Sequence, residues 1–99
     1  MLINDSLGRP WRMGTVGFAI GTFGFEPVWD QIGEKDLDGR IMRVTAPAIA
    51  DALAAAASLV QGETNQGRPA VWVEGCDLRH DDQVNTSVLL RPAEQDLFR

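Results

Sequence analysis

Asp5 and Ser6 stand side by side behind an apolar Met1-Leu2-Ile3 and ahead of Gly8, Arg9, Pro10, Trp11 and Arg12. Adjacent carboxylate and hydroxyl oxygens suit hard divalent cations such as Mg²⁺ and Mn²⁺, which take one or two protein groups and complete their shell with waters and substrate phosphates. Taken alone, Asp-Ser before a glycine turn reads as local backbone capping, the side-chain oxygens accepting nearby N–H groups. Arg9 and Arg12 are planar and permanently charged, so phosphate or carboxylate would suit them. They could as simply be solvated arginines on either side of the large apolar surface of Trp11.

A second polar cluster is QGETNQGR, Gln61 to Arg68, with two glycines among Glu63, Thr64, Asn65 and Gln66. Such a loop can offer backbone N–H groups and an acidic ligand to a metal-bound nucleotide. The Lys-Ser/Thr of a Walker A loop is missing, and by pattern the stretch is a helix C-cap followed by a turn. His80-Asp81-Asp82 lacks the third group and the nucleophile of a catalytic dyad and reads as a solvated loop histidine. Asp36-Leu37-Asp38-Gly39 lacks the further ligands and terminal Glu of a calcium loop and reads as a turn. Cys76 is the only cysteine, which excludes internal disulfides and thiolate metal clusters; it reads as a small buried hydrophobe.

The element that must position these groups is TAPAIADALAAAASLVQG. Eight alanines give it high helix propensity. Thr45 suits an N-cap, Pro47 the first turn and Gly62 the stop, so the expected helix runs from Ala46 to Gln61. Ile49, Leu53, Ala56 and Val60 recur at helical spacing and form the expected core stripe. Asp51 is the segment's only charge, and so bland a helix needs cover on most sides, some of it from another subunit. Thr15 to Phe25, apolar and broken by Gly17, Gly21 and Gly24, reads as one or two strands; the glycine spacing is not a dinucleotide fingerprint. Glu26 to Arg40 reads as a surface loop or pair of turns. Ala70 to Val73 is expected to be a buried strand, Asp77 to Ser87 a polar loop, Val88 to Leu90 a last strand, and Arg91 to Phe98 a short helix begun by Pro92. The fold class is α+β, one long Ala-rich helix on a small, mainly antiparallel sheet, in a single domain.

Ninety-nine residues suit one domain with a radius of gyration of about 13 Å. A net charge of −5 disfavours a phosphate-backbone binder, so nucleic acid is not an expected partner. No apolar run approaches roughly eighteen residues and no charged-then-apolar leader is present, so a cytoplasmic protein without membrane contact is expected.

In order along the chain, NDSLGRPWRMGTVGFAIGTFG, DGRIMRVTAPAIADALAAAASLVQGETNQGRPAVWVEG and LLRPAEQDLFR resemble the C-terminal portion of the coenzyme F420-0:L-glutamate ligase family. These are GTP-dependent γ-glutamyl ligases of deazaflavin coenzyme synthesis. The resemblance implies an α+β homodimer that requires Mn²⁺ or Mg²⁺. It implies activation of a terminal carboxylate of the coenzyme precursor by GTP, as an acyl phosphate, and displacement of phosphate by the amine of L-glutamate. The family's Asp-Ser/Thr metal ligands fall on Asp5 and Ser6. Its nucleotide loop falls on Gln61, Gly62, Glu63, Thr64, Asn65, Gln66, Gly67 and Arg68, with Glu63 at the position that reaches the metal. Arg9, Arg12 and His80 receive no role.

The resemblance covers less than half of a family member. The N-terminal part, which holds the other nucleotide contacts and a further metal-binding Asp, has no counterpart here. Leu7 stands where an aromatic is usual, Ile32 where arginine is common and Gln61 where methionine is common. Three readings follow: a piece of an active ligase, inactive by itself; a non-catalytic binding or dimerisation module of the same fold; and a ligase-like domain acting on another carboxylate acceptor.

Overall fold

Residues 1–29, 35, 37–40, 46–63, 66–83 and 86–95 are described by a computed structural model. Strands β1 (Leu2–Arg9) and β2 (Arg12–Thr22) form an antiparallel hairpin joined by Pro10-Trp11. In β1, half-buried Leu2, Asn4 and Ser6 alternate with exposed Ile3, Asp5 and Leu7, the period-two pattern of a strand with one covered face. The cover is helix α1 (Ile49–Gln61). A second antiparallel pair joins β3 (Gly24–Phe25) to β4 (His80–Asp81), and two 3₁₀ turns follow at Thr86–Leu89 and Ala93–Gln95. The architecture is α+β, an Ala-rich helix on small antiparallel sheets. No helix among the described residues is long and apolar enough to cross a membrane.

Helix and hairpin meet through their smallest residues. A methyl group on Gly17 would stand 2.5 Å from the carbonyl oxygen of Ala54 and 2.8 Å from Ser58 Oγ. Ala50 and Ala54, on the helix side, are fully buried. Backbone therefore packs on backbone, which only residues without bulk permit. This corrects the expected stripe: Ala56 and Val60 are exposed, and the buried line runs through Ala50 and Ala54, flanked by half-buried Leu53, Ala57 and Ser58. The approach is too close for a row of large side chains. Those gather at one end, where Ala19, Phe25 and Ala50 are packed by Leu2, Leu53 and Leu89.

A bulge fixes where the helix sits. The register shifts between Ile3 and Asn4, which pair with Gly21 and Ala19, so Ile20 has no opposite number. The Ala19 N–H is donated to Asp51 Oδ1 at 2.9 Å, so the lone charge of the helix satisfies a backbone group that would otherwise be stranded. Asp51 also lies in the first turn of α1, where a negative charge suits the helix dipole. The helix starts at Ile49 rather than Ala46, with Ala48 as N-cap and no side-chain cap. Thr45 lies outside the described residues. The carbonyl of Pro27, itself fully buried, accepts the Ala50 N–H at 3.0 Å in place of a side-chain cap.

Other expectations change. Ala70 to Val73 is not a buried strand: no described strand pairs with it, and Trp72 is 84% exposed. Val88 to Leu90 is not a strand either, because Thr86 Oγ1 accepts the Thr22 N–H at 2.9 Å and holds that segment as a 3₁₀ turn at the end of β2. Of the expected short helix, Ala93–Gln95 form a 3₁₀ turn and residues 96–98 lie outside the described residues, and the polar loop contains β4. Cys76 is exposed rather than buried. The radius of gyration is 15.2 Å, above the compact value of about 13 Å.

Substituting Gly17 with Ala forces the helix outward and is expected to lower stability by about 1–3 kcal/mol in urea unfolding. Gly8→Ala is the control, since a Cβ at Gly8 meets nothing within 4 Å. It should leave stability unchanged or raise it by up to about 1 kcal/mol.

Candidate functional site

Strand alternation turns Asn4 and Ser6 toward the helix, and they meet its C-terminal end. Asn4 Nδ2 donates to Gln61 Oε1 at 2.9 Å and reaches the Ala54 carbonyl at 3.5 Å. Gln61 Nε2 in turn donates to the Pro69 carbonyl at 3.0 Å. Two side-chain amides thus tie strand, helix end and loop exit together.

Around this tie lies a cleft of about 240 Å³, lined by Asn4, Asp5, Ser6, Ser58, Gln61, Gly62, Glu63, Arg68 and Pro69. Ser6 Oγ donates to Glu63 Oε2 at 3.3 Å. Asp5 Oδ1 accepts the Ser6 N–H at 2.8 Å, the local capping that Asp-Ser allows. Asp5 and Glu63 are exposed and Ser6 is half-buried. Ser6 and Glu63, far apart in sequence, therefore meet at a solvent-open site whose lining also includes Asp5. No group of three or more His, Cys, Asp or Glu side chains able to hold a metal occurs among the described residues. A cation at this cleft would have to draw most of its shell from water or a bound phosphate.

The loop is built by its glycines and its arginine. Gly62 ends α1 with φ 74° and donates its N–H to the Ser58 carbonyl at 2.9 Å. The side chain of Gln66 occupies the space a Cβ on Gly62 would need and would have to move aside, and the positive φ itself favours glycine there. Gly67 also has positive φ, 67°. Arg68 Nη1 donates to the Val60 carbonyl at 3.2 Å, where the helix has unpaired carbonyls and a cation suits its dipole.

Of the residues singled out from the sequence, Asp5, Ser6, Gln61, Gly62, Glu63 and Arg68 come together at the cleft. Gln66 and Gly67 are exposed and do not line it, and Thr64 and Asn65 lie outside the described residues, as do Asp36 and Ile32. Arg9 Nη2 donates to the Met13 carbonyl at 3.1 Å, and Arg12 is exposed at the hairpin tip. His80 lies on β4 with Nε2 3.4 Å from Asp82 and is not part of the lining. The cleft also takes in Asn4, Ser58 and Pro69, which the sequence reading did not single out. Asn4 carried a readable signal, because it is two residues before Ser6 and so shares its face of a strand. Nothing local in the sequence marks Ser58, which enters only because the helix is so close to β2.

Asn4→Ala removes the tie and is expected to cost about 1 kcal/mol in urea unfolding. It should also speed amide exchange at Gly62 and Arg68 while leaving β2 unchanged. Unaltered exchange at both would show that the Gln61–Pro69 bond alone holds the loop.

The family model for F420-0:gamma-glutamyl ligase matches residues 1–75. The chain is 50% identical over 102 residues to the coenzyme F420:L-glutamate ligase of Methanothermobacter thermautotrophicus, covering all of this chain and 40% of that protein. It is 46% identical to the ligase of the same name from Methanocaldococcus jannaschii and 38% to that of Methanosarcina barkeri, each over all of this chain and 39% of the relative. The chain thus spans about two-fifths of the length of the curated relatives it matches.

Proposed function

The chain belongs to the F420-0:gamma-glutamyl ligase family, and from that premise we propose that it is the part of a GTP-dependent ligase that holds the nucleotide and its divalent cation. The whole enzyme would join L-glutamate to coenzyme F420-0 through a γ-glutamyl amide. The observation that carries this reading is the convergence of Asp5, Ser6 and Glu63 on one cleft.

The donor set fits a hard cation. It is all oxygen, contains two carboxylates and a hydroxyl, and is open enough for waters and phosphate oxygens to fill the remaining positions. Asp5, Ser6 and Glu63 would hold Mn²⁺ or Mg²⁺, and the bound ion would offset the charge of the nucleotide's phosphates. Backbone N–H groups of the Gln61-to-Arg68 loop, shaped by positive φ at Gly62 and Gly67, suit phosphate oxygens. Arg68 adds a fixed positive charge at the same wall. In this reaction class a phosphoryl group passes from GTP to the acceptor carboxylate and the glutamate amine then displaces phosphate. Both steps depend on positioning and charge neutralisation more than on covalent chemistry by the protein.

The acceptor site and the remaining nucleotide contacts fall to the rest of the ligase, since the matched portion is about two-fifths of each relative. Self-association into a homodimer belongs to the same reading. Leu59 on α1 is 87% exposed, and Ile3, Leu7 and Ile20 on the hairpin are exposed too, more apolar surface than a small helix and hairpin can cover. That exposure also favours a second reading, a binding or dimerisation module without chemistry. Cation binding separates the two.

Calorimetric titration with Mn²⁺ is expected to show weak binding to the chain, lost in Asp5→Ala and in Glu63→Ala and kept in His80→Ala. Identical binding in wild type and Asp5→Ala would remove the cation site. The purified 99-residue chain is expected to show no GTP turnover that depends on both glutamate and coenzyme precursor; such turnover would place a complete active site in this chain.

A further inference from the structure

Two side-chain bonds cross from β1 to the end of α1, and they run in step. Asn4 meets Gln61 and Ser6 meets Glu63, each pair 57 residues apart, so two residues along the strand match two residues past the helix end. Period-two alternation puts Asn4 and Ser6 on one face of the strand. Across the hairpin they pair with Ala19 and Gly17, small residues against which the helix packs, so short side chains span the gap at both positions.

The two rungs differ in how firmly they are held. The inner one is part-buried, with an amide-to-amide bond of 2.9 Å. Asn4 Nδ2 also reaches the Ala54 carbonyl at 3.5 Å, and Gln61 Nε2 goes on to the Pro69 carbonyl at 3.0 Å. Strand, helix and loop exit therefore all lock this rung. Gln61 has its acceptor and its donor both engaged, so it acts by holding its neighbours. The outer rung is exposed, and its hydroxyl-to-carboxylate distance is 3.3 Å, longer than the roughly 2.5–3.0 Å of a well-made O–H···O bond. So long a contact in water contributes little to its own geometry. Ser6 and Glu63 are set where they are by the rung behind them.

Cations differ in how much they need such rigidity. Mg²⁺ demands near-ideal octahedral geometry and Mn²⁺ favours the same all-oxygen octahedron, while Ca²⁺ accepts more oxygens in flexible arrangements. Ligands fixed from behind suit the demanding ions, and the same ligands set loose suit the tolerant one. We propose that Asn4 and Gln61 are positioning residues that give the cleft a preference for Mn²⁺ or Mg²⁺ over Ca²⁺ by fixing Ser6 and Glu63 relative to each other. This rests on the cation reading of the cleft and adds its selectivity.

Separate calorimetric titrations of the whole 99-residue chain with Mn²⁺ and with Ca²⁺ test it, on the wild type, Asn4→Ala and Gln61→Met. Methionine keeps the length of glutamine and removes both amide bonds, so Gln61→Met carries the test should Asn4→Ala unfold; far-UV circular dichroism checks that the helix is retained. The wild type is expected to bind Mn²⁺ more tightly than Ca²⁺. Each variant should weaken Mn²⁺ binding by about tenfold or more and Ca²⁺ binding by less than about threefold, so that the preference collapses. A parallel loss of both cations is what general loosening gives and overturns the selectivity role, as does Mn²⁺ binding unchanged in both variants. In either case, Mn²⁺ binding that is still lost in Asp5→Ala leaves the cation reading standing. A wild type that binds Ca²⁺ as tightly as Mn²⁺ overturns the proposal alone, and one that binds neither overturns it together with the cation reading.

Discussion

The contact of the α1 backbone with Gly17 is the constraint on which the rest of the structure hangs. Ala50, Ala54 and a glycine on the strand let a helix lie almost directly on a hairpin, so polar groups of ordinary length bridge the two. Asp51 reaches the Ala19 N–H, and Asn4 reaches Gln61. With bulkier residues between them, these bonds would lengthen beyond hydrogen-bonding range. The bulge at Ile20 supplies the stranded N–H that Asp51 accepts, so an irregularity of the sheet becomes the anchor of the helix.

That anchoring makes a site out of unremarkable parts. The end of a helix, the loop beyond it and the middle of a strand are brought to one cleft with an amide tie beneath. Asp5 caps its neighbour's N–H and has further oxygen lone pairs unused by that bond. Arg68 satisfies a helix carbonyl and leaves a positive charge on the cleft wall.

The cost of the arrangement is an apolar surplus. A helix seated through alanines buries little area, and the outer face of the hairpin, the far side of α1 and the segment around Trp72 remain open. Exposed patches of this kind mark interaction surfaces.

Much of this was legible residue by residue. The Ala-rich run, the stop at Gly62, the glycine-broken strands, the α+β class and the family were all readable, because helix propensity, capping and periodicity are properties of neighbouring residues. Asp5, Ser6 and the Gln61-to-Arg68 loop could be singled out, yet local pattern favoured capping for the first two and a plain turn for the last. Residues 70–73 and 88–90 read as strands because their side chains suit strands, but a strand also needs a partner, which no local pattern supplies. What the sequence by itself determined was the composition of each element and the oxygen-rich character of two short stretches. Which face of α1 is buried, and that Glu63 lies within reach of Ser6, was decided only by the tertiary structure. Both follow from a close approach between Gly17 and Ala54, residues thirty-seven apart whose small size shows its meaning only when the two backbones meet.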